Sequence, residues 1–335
     1  MKTRLFIGLP AFCTLILLGL YGGSLFASDS SYAVHNSLGR LNGKPADIGG
    51  SPVNVIYQWQ GYGGTRLPVR DYSGPPPYDY LSGKGYTEQN GIYYKDIGYP
   101  DDVKLDRNYS GIISIDFEVW PAFDIATDWS QAKSGQITSP SNKMLTTKKY
   151  ILDSIAAVRQ AFPNASISFY NLGGIGIVVS GLPGVSEDFL VGWRAVNDWY
   201  KPVFDAIDFC SPSIYYSSTK GDRKTPLSFD DYLIKSGLIM TEMQRVCQGK
   251  PIIPFISPFI MDKYPDSVTG LITLVPMVDW ERQLQSFKGK VDGVIVWSKN
   301  VPESPWLDVA PYWNYAISIS SLQMPTIRIK FGPTL

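Results

Sequence analysis

Histidine is almost absent from this sequence. Only His35 occurs among the 335 residues, and it lies in a polar segment near the N-terminus. Ser-His-Asp and Cys-His catalysis, a metal site with several histidines and a histidine proton shuttle would all depend on that one residue, so we predict none of them. We expect any chemistry of this chain to depend on carboxylates, tyrosines and water, without a metal or a cofactor.

An excess of positive charge is also lacking. Lys and Arg total 30, Asp and Glu total 30, and the formal net charge is zero. A nucleic-acid-binding surface needs clustered basic residues, so we predict no nucleic-acid partner. Apolar residues, in contrast, are plentiful. With 44% hydrophobic and 13% aromatic residues, the composition excludes a disordered chain and allows one large domain or two ordinary ones.

The long apolar run at the N-terminus has the order of an export signal. Lys2 and Arg4 precede the apolar residues 5–26, and Ala27 follows before a polar stretch. This order is typical of a secretory signal peptide, here residues 1–27. The run is also long enough to span a bilayer, so an uncleaved signal-anchor is the alternative. We therefore expect a secreted, periplasmic or extracellular protein, or one anchored in a membrane through this segment.

Cysteine is scarce as well. Of the three cysteines, Cys13 lies in the N-terminal segment, which leaves Cys210 and Cys247 in the mature chain. These two could form a disulfide in an oxidising compartment, but their separation in space does not follow from the sequence. A disulfide and a pair of buried free thiols are both open at this point.

Strand and helix patterns alternate along most of the chain. The strand patterns lie at 53–59, 92–94, 111–120, 165–170, 206–216, 251–256 and 293–297, and the helical patterns lie at 145–162, 189–204, 229–246 and 278–287. Because no Gly-rich phosphate turn follows a strand, a closed parallel barrel fits better than an open doubly wound sheet. We predict an α/β protein, a distorted (β/α) TIM-like barrel of seven or eight strands at 53–300. An N-terminal extension at 28–52 precedes it, and a less regular tail at 301–335 is expected to pack on it.

Two acidic residues stand two positions apart at the end of one predicted strand. Alternate strand residues point to the same face, so Asp116 and Glu118 project together with Cβ atoms about 6–7 Å apart. Barrel enzymes carry catalytic groups at the carboxyl ends of strands, and Pro121 ends this strand. Glycoside hydrolysis requires such a pair, a proton donor beside a carboxylate that stays charged. The ordinary alternative is an aspartate that caps a loop and a glutamate in a surface ion pair.

The pair lies within the sequence NYSGIISIDFEVWP at 108–121. This stretch resembles the motif NFSGxxVIDWExWRP of the hyaluronidase family, glycoside hydrolase family 56. Four further segments resemble family motifs: QNGIYYKDIGYP at 89–100, SFYN at 168–171, SPSIY at 211–215 and GVIVWS at 293–298. The five segments keep the family's order, and the resemblance extends over residues 53–300.

The resemblance implies a secreted, endo-acting glycosidase that cleaves a polysaccharide beside an N-acetylhexosamine. Glu118 would be the general acid and base, and Asp116 would orient the acetamido group of the substrate. The carbonyl oxygen of that acetamido group, rather than a protein carboxylate, would attack the anomeric carbon, with retention of configuration. The resemblance implies no metal and no cofactor, and the sequence indicates no obligate protein partner.

The resemblance also assigns aromatic residues to the substrate groove. Tyr170 and Tyr215 would surround the acetamido group, Trp297 would form a wall of the subsite and Tyr94 would line the groove. An aromatic wall suits the apolar face of a sugar, and tyrosine hydroxyls can stabilise charge that develops on the acetamido oxygen. Four other aromatic residues are predicted to lie in the core: Trp59, Trp120, Trp193 and Tyr216.

The sequence departs from the family pattern in ways that leave the substrate open. Trp120 is followed directly by Pro121, without the arginine of the family motif, and Tyr216 is followed by two serines rather than a basic residue. Polyanions are usually bound by Arg and Lys, so chondroitin, an uncharged N-acetylhexosamine polymer or a bacterial glycan are alternatives to hyaluronan. Two other functions are also open: a catalytically silent glycan-binding relative, and a barrel glycosidase with a protein nucleophile. The DxxDxDxE strand motif of chitinases is absent.

Overall fold

The computed structural model describes ten stretches of the chain: 32–38, 49–57, 86–89, 92–95, 105–116, 124–173, 186–218, 226–261, 273–298 and 306–321. All belong to one unit, Ser31–Leu335. The strands are β1 (Ala33–Ser37), β2 (Ser51–Tyr57), β3 (Tyr86–Gln89), β4 (Ile92–Lys95), β5 (Leu105–Asp106), β6 (Ile112–Asp116), β7 (Ser166–Phe169), β8 (Phe255–Ile256) and β9 (Gly293–Trp297). The helices are α1 (Ser130–Ala132), α2 (Asn142–Ala161), α3 (Glu187–Trp199), α4 (Lys201–Ala206), α5 (Phe229–Cys247), α6 (Met277–Phe287) and α7 (Trp306–Ser321). A π-helical turn at Ile125–Trp129 precedes α1.

A parallel sheet forms the centre of the fold. Its strand order is β7-β6-β2-β1-β9-β8, and every neighbouring pair is parallel. The segment 209–213 lies between the two outer strands of this order. Tyr170, just after β7, bridges to Ser211, and Ser213 bridges to Phe255 on β8. These bridges close the sheet into a ring, and the predicted α/β barrel is confirmed.

The closing segment is less regular than its strand pattern predicted. Proline has no N–H to donate to a strand ladder. Pro212 lies near the end of the segment, and Pro251 and Pro254 lie beside it in the residues that lead into β8. The bonds that remain include Ile253 N–H to the Cys210 carbonyl and Phe255 N–H to the Pro212 carbonyl, both at 2.8 Å. The regular strand in this region is therefore limited to β8, and the closing segment pairs with its neighbours through isolated bridges.

Alternate residues of β6 face two different cores. Ile113 and Ile115 belong to the outer core, which lies between the sheet and the helices. Ile112 instead packs against an inner cluster. The inner cluster consists of Val53, Phe209, Ile253, Phe255 and Ile295. Ser114 and Asp116 share the parity of Ile112, so their side chains face the barrel interior.

Serine N-caps begin three of the outer helices. The hydroxyls of Ser141, Ser186 and Ser228 each accept a hydrogen bond from the N–H three residues later, at the starts of α2, α3 and α5. The helices predicted at 145–162, 229–246 and 278–287 correspond to α2, α5 and α6. The helix predicted at 189–204 is divided into α3 and α4. Pro202 accounts for the division, because it lacks an N–H and its ring would clash with a preceding carbonyl in a continuous helix.

Five elements have no counterpart among the predicted strands and helices: β1, β3, β5, α1 and α7. β1 lies within the segment assigned to an N-terminal extension, and it is inserted between β2 and β9 as a strand of the barrel. α7 lies within the less regular tail and contacts α6 and β1. Its buried residues include Val309, Trp313 and Ala316, which are spaced as one face of a helix.

Cys210 and Cys247 form a disulfide. Their Cα atoms are 6.4 Å apart, and both residues are buried. Cys210 lies in the closing segment of the barrel, whereas Cys247 is the last residue of α5. Of the two alternatives that the sequence left open, the structure has the disulfide.

Within the described stretches, no helix is both long enough and apolar enough to cross a membrane. The apolar run 5–26, for which a signal peptide or a signal-anchor is predicted, lies outside these stretches. Its role stays a prediction.

Candidate active site

Asp116 stands at the carboxyl end of a central strand. It is the last residue of β6, its side chain faces the barrel interior, and it is 6% exposed. In barrel folds this end of the strands carries the catalytic groups. Glu118 follows two residues later and lies outside the described stretches, so its assigned role stays a prediction.

Tyr170 lies beside Asp116 on the neighbouring strand. Its N–H donates to the Ile115 carbonyl at 2.7 Å, which places the residue next to the end of β6. Its ring packs against the inner cluster, edge-on to Phe255 with the ring centroids 5.0 Å apart. Its hydroxyl donates to Ser213 Oγ at 3.1 Å. Contacts of its backbone, its ring and its hydroxyl thus all fix the position of Tyr170.

Two further aromatic rings continue from Tyr170 around the same end of the barrel. The Tyr215 ring centroid is 6.3 Å from that of Tyr170 and 5.4 Å from that of Trp297. The Tyr215 and Trp297 rings are stacked, with an angle of 29° between their planes. The structure therefore brings together three of the four aromatic residues predicted for the groove. We call Tyr170, Tyr215 and Trp297 the aromatic row, and all three are half-buried.

The barrel interior below Asp116 carries hydroxyl groups. Ser114 precedes Asp116 on the same face of β6, and Ser168 on β7 is in register with it. Ser211 Oγ donates to Ser168 Oγ at 2.9 Å, and all three serines are buried. Barrel interiors are usually filled by branched apolar side chains, so these serines make the region under the carboxylate polar.

The structure adds two residues that the sequence did not indicate. Ser213 accepts the hydrogen bond of the Tyr170 hydroxyl, and Asn171 accepts one from the Ser213 N–H through its side-chain oxygen. Both lie within segments that resemble family motifs, SPSIY and SFYN. The resemblance assigns a role only to the tyrosine of each segment. The contact between the two segments follows from the placement of the strands and not from either motif.

Some predicted positions are described only in part. Tyr94 lies on β4, opposite Thr87 in the antiparallel sheet β3-β4-β5, and the structure describes its backbone alone. Its place in the groove stays a prediction. Of the aromatic residues predicted for the core, Trp193 and Tyr216 are buried, and Trp59 and Trp120 lie outside the described stretches.

His35 faces the barrel interior below the aromatic row. It is in register with Ile295 of the inner cluster, whereas Ser37, two residues later, is in register with Trp297. Burial lowers the pKa of His35 to about 4, and neither ring nitrogen has a hydrogen-bond partner within the described part of the chain. A neutral ring in this position contributes to packing, and its burial makes the stability of the protein depend on pH.

We expect acid to destabilise the protein through His35. The pKa is about 6.5 in the unfolded chain and about 4 in the folded chain. The unfolded state therefore binds the extra proton between these values, and stability falls as the pH falls through this window. The full shift corresponds to about 3 kcal/mol of unfolding free energy, lost between pH 7 and pH 4. Urea unfolding at several pH values measures this loss.

His35→Leu is the control, because it removes the titrating group and keeps an apolar side chain in the barrel. Whatever its stability at pH 7, the variant should lose less unfolding free energy than the wild type between pH 7 and pH 4. Equal losses in the two proteins would contradict the assignment to His35.

The chemistry available at this end of the barrel is that of a carboxylate and aromatic side chains. No group of three or more His, Cys, Asp or Glu side chains within the described residues is placed to hold a metal ion. What they bring together is a buried carboxylate, two tyrosines and a stacked aromatic surface at one end of a barrel. Aromatic faces bind the apolar faces of sugars, and carboxylates and phenols bind polar sugar substituents.

Comparison with known proteins establishes the fold. No family model matches the chain, and no curated protein matches it. Two solved structures of bee venom hyaluronidase are similar to it. The complex with a hyaluronic acid tetramer has 12% sequence identity and a TM-score of 0.50, and the match covers 86% of this chain and 98% of that one. The monoclinic crystal form has 15% identity and a TM-score of 0.53, with 86% and 99% covered.

At these identities the likeness concerns the fold. The chain shares the barrel fold of bee venom hyaluronidase along nearly the whole length of that protein. The resemblance noted in the five sequence segments is confirmed at this level, and the low identity is that of a divergent chain.

Proposed function

We propose that this protein is a secreted, endo-acting glycoside hydrolase that cleaves a polysaccharide beside an N-acetylhexosamine. One observation carries the proposal: Asp116 and the aromatic row lie together at the carboxyl ends of strands in a barrel with the hyaluronidase fold. The row comes from three separate parts of the sequence, and a purely structural role would not require its members to meet at this end.

The proposed reaction begins with binding of the glycan along the aromatic row. The apolar face of a sugar packs on the half-buried rings, while Asp116 accepts a hydrogen bond from the acetamido N–H. The acetamido carbonyl oxygen is thereby aimed at the anomeric carbon. We assign the hydroxyls of Tyr170 and Tyr215 to the stabilisation of the charge that develops on that oxygen.

Cleavage then takes two steps. In the first, the acetamido oxygen forms a bond to the anomeric carbon as the glycosidic bond breaks, and Glu118 donates its proton to the leaving oxygen. In the second, Glu118 removes a proton from water, the water oxygen bonds to the anomeric carbon, and the acetamido group is restored. Two inversions at one carbon give net retention, with Glu118 returned to its starting state.

The disulfide supports the proposal of export. Disulfides form and persist in oxidising compartments, and Cys210 and Cys247 are joined in the folded chain. The positive and apolar start of the sequence supports it independently. N-terminal sequencing of the protein recovered from the medium or periplasm tests it, because a mature N-terminus near residue 28 is expected.

The activity is tested with a panel of unbranched N-acetylhexosamine polymers. The panel contains hyaluronan, chondroitin and an uncharged N-acetylglucosamine polymer, and products are identified by mass. We expect at least one polymer to yield oligosaccharides with N-acetylhexosamine at the new reducing end, and these should be even-sized if the cleaved polymer is hyaluronan or chondroitin. An N-acetylhexosamine thiazoline should inhibit cleavage, because it imitates the cyclised acetamido intermediate.

Two results would lead to other functions. Cleavage that the thiazoline does not inhibit would indicate a protein nucleophile. Binding of an oligosaccharide without cleavage over long incubation would indicate a catalytically silent glycan-binding protein, a candidate favoured by the missing arginine after Trp120.

A further inference from the structure

We infer that Asn171 is a positioning residue that fixes the Tyr170 hydroxyl through Ser213. The kinetic part of this inference rests on the proposed function, in which Tyr170 acts on the acetamido group. The structural part concerns three side chains and can be tested in the absence of any substrate.

The backbone of Asn171 is unusual. Its φ is +56°, in the left-handed region that non-glycine residues rarely adopt. In this conformation its N–H donates to the Ser211 carbonyl at 3.0 Å, and its side-chain Oδ1 accepts from the Ser213 N–H at 3.4 Å. One residue therefore holds the closing segment at two points. Strained backbone of this kind is often retained at functional sites.

The closing segment needs such support because its pairing with β7 is sparse. The bridge between Tyr170 and Ser211 stands alone instead of continuing as a ladder. Ser213, two residues further on, is reached from this side by the Asn171 carboxamide and the Tyr170 hydroxyl. Loss of the carboxamide should remove this restraint on Ser213, and the hydroxyl to which Tyr170 donates should then be less fixed.

A fixed phenol oxygen matters for the proposed reaction. Donors and acceptors that are already oriented need no rearrangement when charge develops on the substrate, so they stabilise the transition state more than the bound substrate. Removing the orientation should therefore lower kcat and leave KM nearly unchanged.

The variants distinguish the effect of the Asn171 carboxamide from the effect of its backbone conformation. Asn171→Gly removes the side chain, and glycine adopts positive φ without strain. Asn171→Asp keeps an oxygen acceptor at the same position. The matched control is Gln248→Gly, because Gln248 is the other described non-glycine residue with positive φ, 46°, and it lies at the end of α5.

The first measurement is NMR of protein labelled with ¹³C at the tyrosine Cζ. Tyr170→Phe assigns the Tyr170 signal, and Ser213→Ala shows the shift caused by loss of the Ser213 hydroxyl. We expect Asn171→Gly to move the signal toward its position in Ser213→Ala, whereas Asn171→Asp and Gln248→Gly leave it in place. A signal in Asn171→Gly that coincides with the wild type, or moves equally in Gln248→Gly, overturns the inference.

The second measurement is the kinetics on a cleaved polymer. Asn171→Gly should lower kcat about tenfold with KM nearly unchanged, and Asn171→Asp should stay within about twofold of the wild type. In the Tyr170→Phe background Asn171→Gly should cause no further loss, because the two residues act through one hydroxyl. Additive losses would overturn the inference. If the wild type cleaves no polymer, the proposed function fails, and the NMR comparison alone decides the role of Asn171.

Discussion

Replacing Glu118 with glutamine is expected to slow cleavage of the N-acetylhexosamine polymer about 100- to 10,000-fold. Glutamine has nearly the size of glutamate but cannot donate a proton to the leaving oxygen or remove one from water. The rate of new reducing ends measures the loss. Glu187→Gln is the matched control, since it makes the same change at an exposed position in the first turn of α3 and should keep the wild-type rate.

A change of leaving group distinguishes the two carboxylates. An aryl glycoside of the cleaved oligosaccharide, with an acidic phenol as leaving group, needs little protonation. Glu118→Gln should therefore lose much less activity in the bond-breaking step on this substrate than on the polymer. Asp116→Asn should lose activity on both substrates, because it disturbs the attacking acetamido group in each case. Wild-type rates for Glu118→Gln on the polymer would exclude Glu118 as the acid.

The position of the candidate site could be predicted because strand geometry is simple. Alternation along β6 places Asp116 on the inner face, and parallel strands bring their carboxyl ends together. Those two facts, with the motif resemblance, are enough to bring Tyr170, Tyr215 and Trp297 to one end of the barrel. The hydrogen bond from Tyr170 to Ser213 could not be predicted in this way, since it depends on side-chain placement across a seam where Pro212 interrupts the strand pairing.

Two of the unpredicted elements, β1 and α7, have physical explanations. β1 has the sequence AVHNS, so Val34 is its one β-branched residue and it has no aromatic residue to mark a strand. Its strand conformation comes from parallel neighbours on both sides. α7 does carry apolar residues at helical spacing, but Pro311 interrupts the pattern. Pro311 is exposed, so its ring points away from the barrel while the opposite face stays packed.

Removal of the disulfide is expected to lower the free energy of unfolding by about 4 kcal/mol. The two cysteines are 37 residues apart, and the crosslink restricts the unfolded chain by closing a loop of that length. Cys210→Ala with Cys247→Ala avoids leaving a polar group at these buried positions. Urea unfolding of the double variant and of the wild type, with and without a reducing agent, measures the effect. A single variant, Cys247→Ala, should lose nearly as much as the double variant, because either change removes the crosslink.

Removal of the disulfide should also affect the aromatic row. Cys210 precedes Ser211 in the closing segment, which is held by isolated bridges and hydrogen bonds, and the disulfide adds the covalent link to α5. Without it, Ser213 and the Tyr170 hydroxyl that donates to it should be less ordered, and kcat of the still-folded double variant should fall below that of the wild type. Reduction that leaves both the urea midpoint and kcat unchanged would show that the disulfide supports neither the barrel nor the site. A lower midpoint with unchanged kcat would limit its role to stability.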